Sequence, residues 1–261
     1  MIGAAVCGLI LIVAGILWQM DKAVPYTNSD VTIDPDSPVV AVALPSFHSV
    51  AYRFPENVRE RMHLDKNGFG GIRLIYDPSV ESPVLEMPEG LEDYLAYECS
   101  DGVFTFSFCN PDTAMTSPWY RPYIVCARSI TLSMASMPDS LSLNWFSSIV
   151  TLEGFTAENL MLDDGGYADY ILDGCNIASI RTDDDANIQL ADSWVGLITT
   201  GGKKLNLGAD SLSALGAVDW NGKESGNFLN LDFIAVGDIR FSGGELTVKS
   251  TMPLNISTIG K

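Results

Sequence analysis

Basic residues are scarce in this chain of 261 residues: fifteen Lys and Arg stand against thirty-three Asp and Glu, a net charge of −18. Phosphate backbones require clusters of Lys and Arg, so nucleic acid is excluded as a partner. Anionic lipid headgroups would repel the same surface. Histidine is scarcer still, with His48 and His63 in unrelated contexts. No Ser-His-Asp set, Cys/His metal spacing or phosphate-cradling glycine loop can be assembled from what remains. Of the five cysteines, Cys7 lies in an apolar run, and Cys99, Cys109, Cys126 and Cys175 fall in the body of the chain. Those four suffice for two disulfides in an oxidising compartment. Three of them sit in apolar, strand-like runs, however, and buried free thiols are the preferred reading. Beyond the first twenty residues no stretch keeps a 3.6-residue apolar stripe, which argues against helices.

Charge is wholly missing from Met1 to Trp18. An apolar run of that length can just span a bilayer, so residues 1–20 are read as a transmembrane helix and the chain's sole membrane contact. The run lacks a basic leader, and Gln19-Met20-Asp21-Lys22 is a poor cleavage site. A removed signal segment and a buried core helix are the alternatives. Residues 21–38, polar and carrying Pro25, Pro35 and Pro38, read as a linker.

From residue 39 onward the chain is rich in strand signals. The 47 % hydrophobic and 10 % aromatic content is ample for a core. Val39–Leu44 is the first apolar strand of a β-rich part covering 39–128. Within it, Tyr94–Cys99 and Val103–Phe108 alternate on either side of Ser100-Asp101-Gly102, the strongest short hairpin signal available. Residues 129–261 repeat themselves. Leu160-Met161-Leu162 recurs as Ile180-Arg181-Thr182 and again as Ile198-Thr199-Thr200. Asp173-Gly174, Ala191-Asp192 and Ala209-Asp210 recur beside them, and Tyr170-Ile171-Leu172, Ile188-Gln189-Leu190 and Leu205-Asn206-Leu207 lie between. A period near twenty built from short strands is the mark of a β-solenoid, whose coils share one core only when stacked.

These segments resemble the head GIN domain family of bacterial envelope proteins, over about residues 44–261. LPSFHSV at 44–50 is similar to that family's opening segment, and EGLEDYLAYECSDGVFTFSF at 89–108 to its hairpin section. FTAENLMLDDGGYADYILDG at 155–174 and IAVGDIRFSGG at 234–244 resemble its recurring coil. The family's Gly-Ser-Gly-Asp turn is kept at Gly237-Asp238 and departs from the pattern elsewhere. The resemblance implies an all-β, right-handed parallel β-helix, or β-solenoid, preceded by hairpin-rich coils. It also implies an adhesin-like role, and it brings no catalytic residues.

Two constellations are candidates for chemistry. Asp163 and Asp164, with Asp183, Asp184 and Asp185, occupy equivalent positions in successive repeats. On stacked strands about 4.8 Å apart they would form a carboxylate ladder along one edge. Such a ladder can ligate Ca²⁺, and carboxylates about 5 Å apart can serve a retaining glycosidase. The simpler reading is that Asp favours tight turns and wet edges. Trp119, Tyr120 and Tyr123 place three rings within five residues, able to stack on sugar or anchor a partner protein, or to pack inward as structure. Trp145, Trp194 and Trp220 read as core or edge fillers. The function expected is a non-enzymatic cell-envelope module, adhesive or structural, binding a glycan or an envelope or host protein and needing no cofactor beyond calcium on that edge. The alternative is a β-helical carbohydrate-active enzyme using the Asp ladder.

Overall fold

The structure, a computed structural model, describes residues 30–57, 60–111, 122–163, 165–221, 226–242 and 245–252. The apolar run at 1–20, together with Trp119, Tyr120 and Asp164, lies outside the described residues. Among those described, no helix is long and apolar enough to cross a membrane, and the regular structure is twenty-two β-strands. The first half contributes β1 (Val31–Ile33), β2 (Val39–Ala43), β3 (Ser49–Tyr52), β4 (His63–Phe69), β5 (Ile72–Tyr76) and β6 (Val84–Pro88). It continues with β7 (Leu95–Ser100), β8 (Val103–Phe108), β9 (Tyr123–Cys126), β10 (Ile130–Met134) and β11 (Ser140–Ser142). The second half runs through β12 (Ile149–Glu153), β13 (Thr156–Asp163), β14 (Asp169–Asp173), β15 (Asn176–Thr182), β16 (Ala186–Ala191) and β17 (Trp194–Thr200). It ends with β18 (Lys204–Ala209), β19 (Ala214–Trp220), β20 (Asn227–Asp232), β21 (Val236–Phe241) and β22 (Leu246–Ser250).

From β12 onward the strands fall alternately into two sheets that do not close on themselves. Even-numbered strands extend a ten-stranded sheet, ordered β2-β6-β10-β5-β12-β14-β16-β18-β20-β22. Odd-numbered strands extend a nine-stranded sheet, β21-β19-β17-β15-β13-β11-β3-β8-β7. Pairing is parallel throughout this stack, and both sheets pass without a break into the strands before residue 128. Within these two sheets, antiparallel contacts are confined to β2–β6, β6–β10 and the hairpin β7–β8. The expected hairpin is present, with Asp101 and Gly102 both left-handed at φ 52° and 74°, as a two-residue turn between twisted strands requires. Cys99 pairs with Phe104, and Cys109 donates its backbone N–H to Tyr94 O. All four described cysteines are free thiols.

Each strand turns one side inward, and the inner sides of the two sheets meet in one core. In β14, Tyr170 and Leu172 are buried, while in β16 Ile188 and Leu190 occupy the same columns. Stacking is what buries them, since a single two-strand coil has nothing to cover its apolar face. The repeats match in register: Leu160 stands beside Ile180 and Ile180 beside Ile198. At the corners Asp173-Gly174 matches Ala191-Asp192 in register, since Asp173 pairs with Ala191, whereas Ala191-Asp192 and Ala209-Asp210 are one residue out, since Leu190 pairs with Ala209. At the start of the stack Tyr52, Phe69, Phe106, Phe108 and Phe146 close the core with ring centroids 5.4 to 6.4 Å apart.

Three features were not expected. Residues 31–33, inside the stretch read as a linker, form a strand that pairs in parallel with β9. Gly237, matched to a turn in the family pattern, lies within β21 instead. It belongs to a column of strand bends in which Ile177 pairs with Val195 and Ser179 with Leu197, leaving the intervening residue out of the ladder. A Cβ on Gly196, Gly216 or Gly237 would come within 2.6, 2.3 and 2.6 Å of a backbone oxygen on the preceding strand. Glycine is required there by that close approach.

Candidate functional site

Two hollows lie on the outer side of the nine-stranded sheet. One, of about 550 Å³, is lined by β13, β15 and β17. The other, of about 510 Å³, shares Asp139 and Asn159 with the first and reaches Tyr76. They form a groove along the stack. Strand pairing aligns Ser140, Met161, Arg181, Thr199, Asp219 and Arg240 in one outward row, of which Met161, Arg181 and Thr199 line the first hollow. The bend column makes this side hollow, because two consecutive residues, such as Ala178 and Ser179, face outward between the buried Ile177 and Ile180.

Of the described acidic residues singled out from the sequence, Asp183 lines this groove. The β13–β15 pairing runs to Leu162 opposite Thr182, so Asp163 and Asp183 follow as the next residues of adjacent strands. Their carboxylates have separate partners. Asp163 accepts from Ser142 Oγ at 3.2 Å and Asn144 Nδ2 at 3.3 Å. Asp183 is gripped by Arg181, with Nε 3.1 Å from Oδ1 and the terminal nitrogen 3.0 and 3.2 Å from Oδ1 and Oδ2. Asp185 accepts the backbone N–H of both Lys203 and Lys204 at 2.8 Å, and the Asp184 carbonyl accepts from Thr182 Oγ1. Among the described residues, no three His, Cys, Asp or Glu side chains converge where a metal ion could sit. Arg240, at the far end of the row, bonds Asp238 at 2.8 Å and lies 3.6 Å from Asp219, which raises its pKa through the Asp238 hydrogen bond first. Both arginines are at least half exposed, so each pair contributes little stability.

Of the aromatic cluster, Tyr123 opens β9. Its exposed ring stacks near His63 with centroids 5.4 Å apart, and its N–H donates to Asp30. The structure therefore does not bring Tyr123 to those acidic residues: it lies in the separate sheet of β1, β9 and β4.

Two features of the surface escaped the sequence reading. On the outer side of the ten-stranded sheet, Asp169, Asn187, Asn206 and Asn230 align in one column. Asn187 Nδ2 donates to Asp169 at 3.1 Å, and Asn206 Nδ2 donates to Asn187 Oδ1. The signal was present, since Asn187, Asn206 and Asn230 each precede a buried Ile or Leu. Trp145, read as a filler, is 58 % exposed and stacks on Tyr167. Trp194 is also exposed, whereas Trp220 is buried.

No family model and no curated protein matches the chain. Solved structures do match. A "putative adhesin" from Bacteroides fragilis is 8 % identical, with 88 % of this chain and 100 % of that chain covered, at a TM-score of 0.44. A "putative adhesin" from Parabacteroides distasonis is 11 % identical over 88 % and 98 % of the two chains, at 0.36. A "putative lipid binding protein" from the same organism is 8 % identical over 89 % and 100 %, at 0.39.

Proposed function

We propose that the chain is a non-enzymatic module of the cell envelope, a right-handed parallel β-solenoid that presents a rigid grooved surface to a glycan or to an envelope or host protein. The apolar run at 1–20 tethers it, and the body from 39 onward carries the binding surface. One observation carries this reading: the carboxylates of Asp163, Asp183 and Asp185 are already engaged, by Ser142 and Asn144, by Arg181 and by backbone N–H groups respectively. General acid–base catalysis needs a proton-transfer group tuned by burial or neighbours and within reach of substrate. Carboxylates fixed in this way shape a surface and order it. The row of Ser140, Met161, Arg181 and Thr199 offers hydrogen-bonding groups and one apolar side chain, spaced by the strand repeat, which suits an extended ligand laid along the stack.

The test is retention of the full chain on immobilised polysaccharides, host glycans and envelope-protein extracts, with Arg181→Glu as the groove variant. The exposed Arg181–Asp183 pair stabilises little, so the variant should melt within a few degrees of the parent. It should nonetheless lose retention. Retention of neither chain on any surface would refute the reading.

A further inference from the structure

We infer that the corner bearing Trp145 and Tyr167 is a platform for a neutral sugar ring. This rests on the reading of the chain as a binding module and names one ligand class and one place on it. The turn between β11 and β12 is pinned by buried Leu143 and Phe146, with Phe146 N–H donating to Leu143 O at 2.9 Å. Between them Trp145 is held at φ 68°, a left-handed backbone that bulky side chains rarely adopt. One coil further on, Gly165 and Gly166 are also left-handed, at φ 64° and 79°. A Cβ at Gly165 would come within 3.1 Å of Asn144 Oδ1 and 3.2 Å of the Tyr167 ring. These backbone conformations bring the two rings to 4.6 Å between centroids at 28°, with Trp145 58 % and Tyr167 38 % exposed. A stacked pair with an outer side left open is a preformed flat apolar surface.

Its surroundings select the ligand. Asn144, whose amide is bonded to Asp163, and Asp185, packed where a Cβ on Gly166 would fall, border the rings with hydrogen-bond acceptors. A pyranose presents C–H groups on one side and hydroxyl donors around its edge, which fits an aromatic plane bordered by acceptors. An ammonium ligand is recognised by rings that enclose it, whereas Trp145 and Tyr167 are stacked on each other and present a flat open side. With a net charge of −18, the chain repels uronic and sulfated sugars. Two rings also offer far less than the roughly 1,000 Å² that a specific protein interface buries.

The test is calorimetric titration of the full chain in detergent with cellohexaose, xylohexaose and mannohexaose, with hexagalacturonate and tetramethylammonium as contrasts. Trp145→Gly, Tyr167→Ala, Arg181→Ala and, as the control, Leu212→Ala are compared with the parent. At least one neutral hexasaccharide should bind, and Trp145→Gly should weaken it roughly tenfold or more. Leu212→Ala should change it by less than about twofold, because that exposed side chain sits on the turn from β18 to β19, at the opposite corner of the stack. Glycine accepts φ 68° freely, so Trp145→Gly should remain folded. Perturbation of the Trp145 indole N–H resonance by saccharide gives an independent readout on the parent chain. Binding that survives Trp145→Gly but vanishes in Arg181→Ala would overturn the platform and leave the groove as the binding site. A preference for tetramethylammonium or hexagalacturonate would overturn the ligand class. Absence of any saccharide binding would overturn the platform, and the retention assay on Arg181→Glu would still judge the broader reading by itself.

Discussion

Gly216→Ala is the sharpest perturbation of the stack. An added Cβ would lie 2.3 Å from Gly196 O and 3.2 Å from Gly196 C, both backbone atoms that cannot swing aside. An ordinary carbon–oxygen contact needs roughly 1 Å more, so β17 and β19 must separate locally. Gly216 has no left-handed backbone to protect, and in open space alanine would stabilise by about 0.4–1 kcal/mol through the unfolded chain. Against that gain stand an overpacking cost of about 1–3 kcal/mol and one or two weakened ladder hydrogen bonds, each about 1 kcal/mol. The net expectation is a loss of about 1–4 kcal/mol, or roughly 3–15 °C in Tm for a body of this size. Gly201→Ala is the matched control: its nearest contact would be 3.4 Å, and its backbone is not left-handed. It should fall within about 1 kcal/mol of the parent, on the stabilising side. Melting of both variants followed by far-ultraviolet circular dichroism reads the difference. A Gly216→Ala Tm equal to or above that of the parent would refute the close approach between strands.

Other expectations concern single groups. Burial raises the Tyr52 phenol pKa well above its ordinary value of 10.0, with Cys109 adding and Arg61 opposing. Its neutral form is favoured in the folded state, so stability holds below about pH 10 and declines above it; Tyr52→Phe should flatten that alkaline decline in a Tm–pH profile. Asp210 is the opposite case. Hydrogen bonds from Ser213 first, then from Asp192 and Leu212, lower its pKa, so its contribution is present at neutral pH and is lost as pH falls through the carboxylate range. The Tm difference between parent and Asp210→Asn should shrink towards zero in acid. Ser193 is buried, its Oγ accepting the Cys175 N–H at 2.9 Å and lying 2.9 Å from Leu172 O. Ser193→Ala should cost about 1–3 kcal/mol in denaturant titration by leaving that N–H unpaired.

How far the sequence could be read depended on whether the information was local. The hairpin at 95–108 was legible because Asp-Gly and strict alternation are both local signals. The inward column of Leu160, Ile180 and Ile198 was legible because stacked strands place the same kind of residue at the same buried position. The bend column was not, since Gly196, Gly216 and Gly237 are demanded by a carbonyl on the preceding strand rather than by any neighbour in the chain. The strand at Val31–Ile33 was hidden by the prolines and acids around it, and its partner β9 lies some ninety residues away. At the site, the adjacency of Asp163 and Asp183 came from the repeat length. The partners that engage them and Asp185, among them Asn144 and the Lys203 and Lys204 N–H groups, are supplied only by the fold. Between core and edge, the place of Trp145 was left open because its exposure is decided by a left-handed turn between two buried residues, and propensity alone carries no sign of that.

The most direct test of the account is product analysis on polysaccharides retained by the full chain. Xylan, glucomannan and neutral host glycans are incubated with the parent and with an Asp163→Asn/Asp183→Asn double variant, and the length distribution of the recovered polymer is measured. The account predicts polymer retained at unchanged length by both proteins, because carboxylates held by Arg181, Ser142 and Asn144 order the surface and transfer no proton. Reproducible shortening by the parent that disappears in the double variant would contradict it.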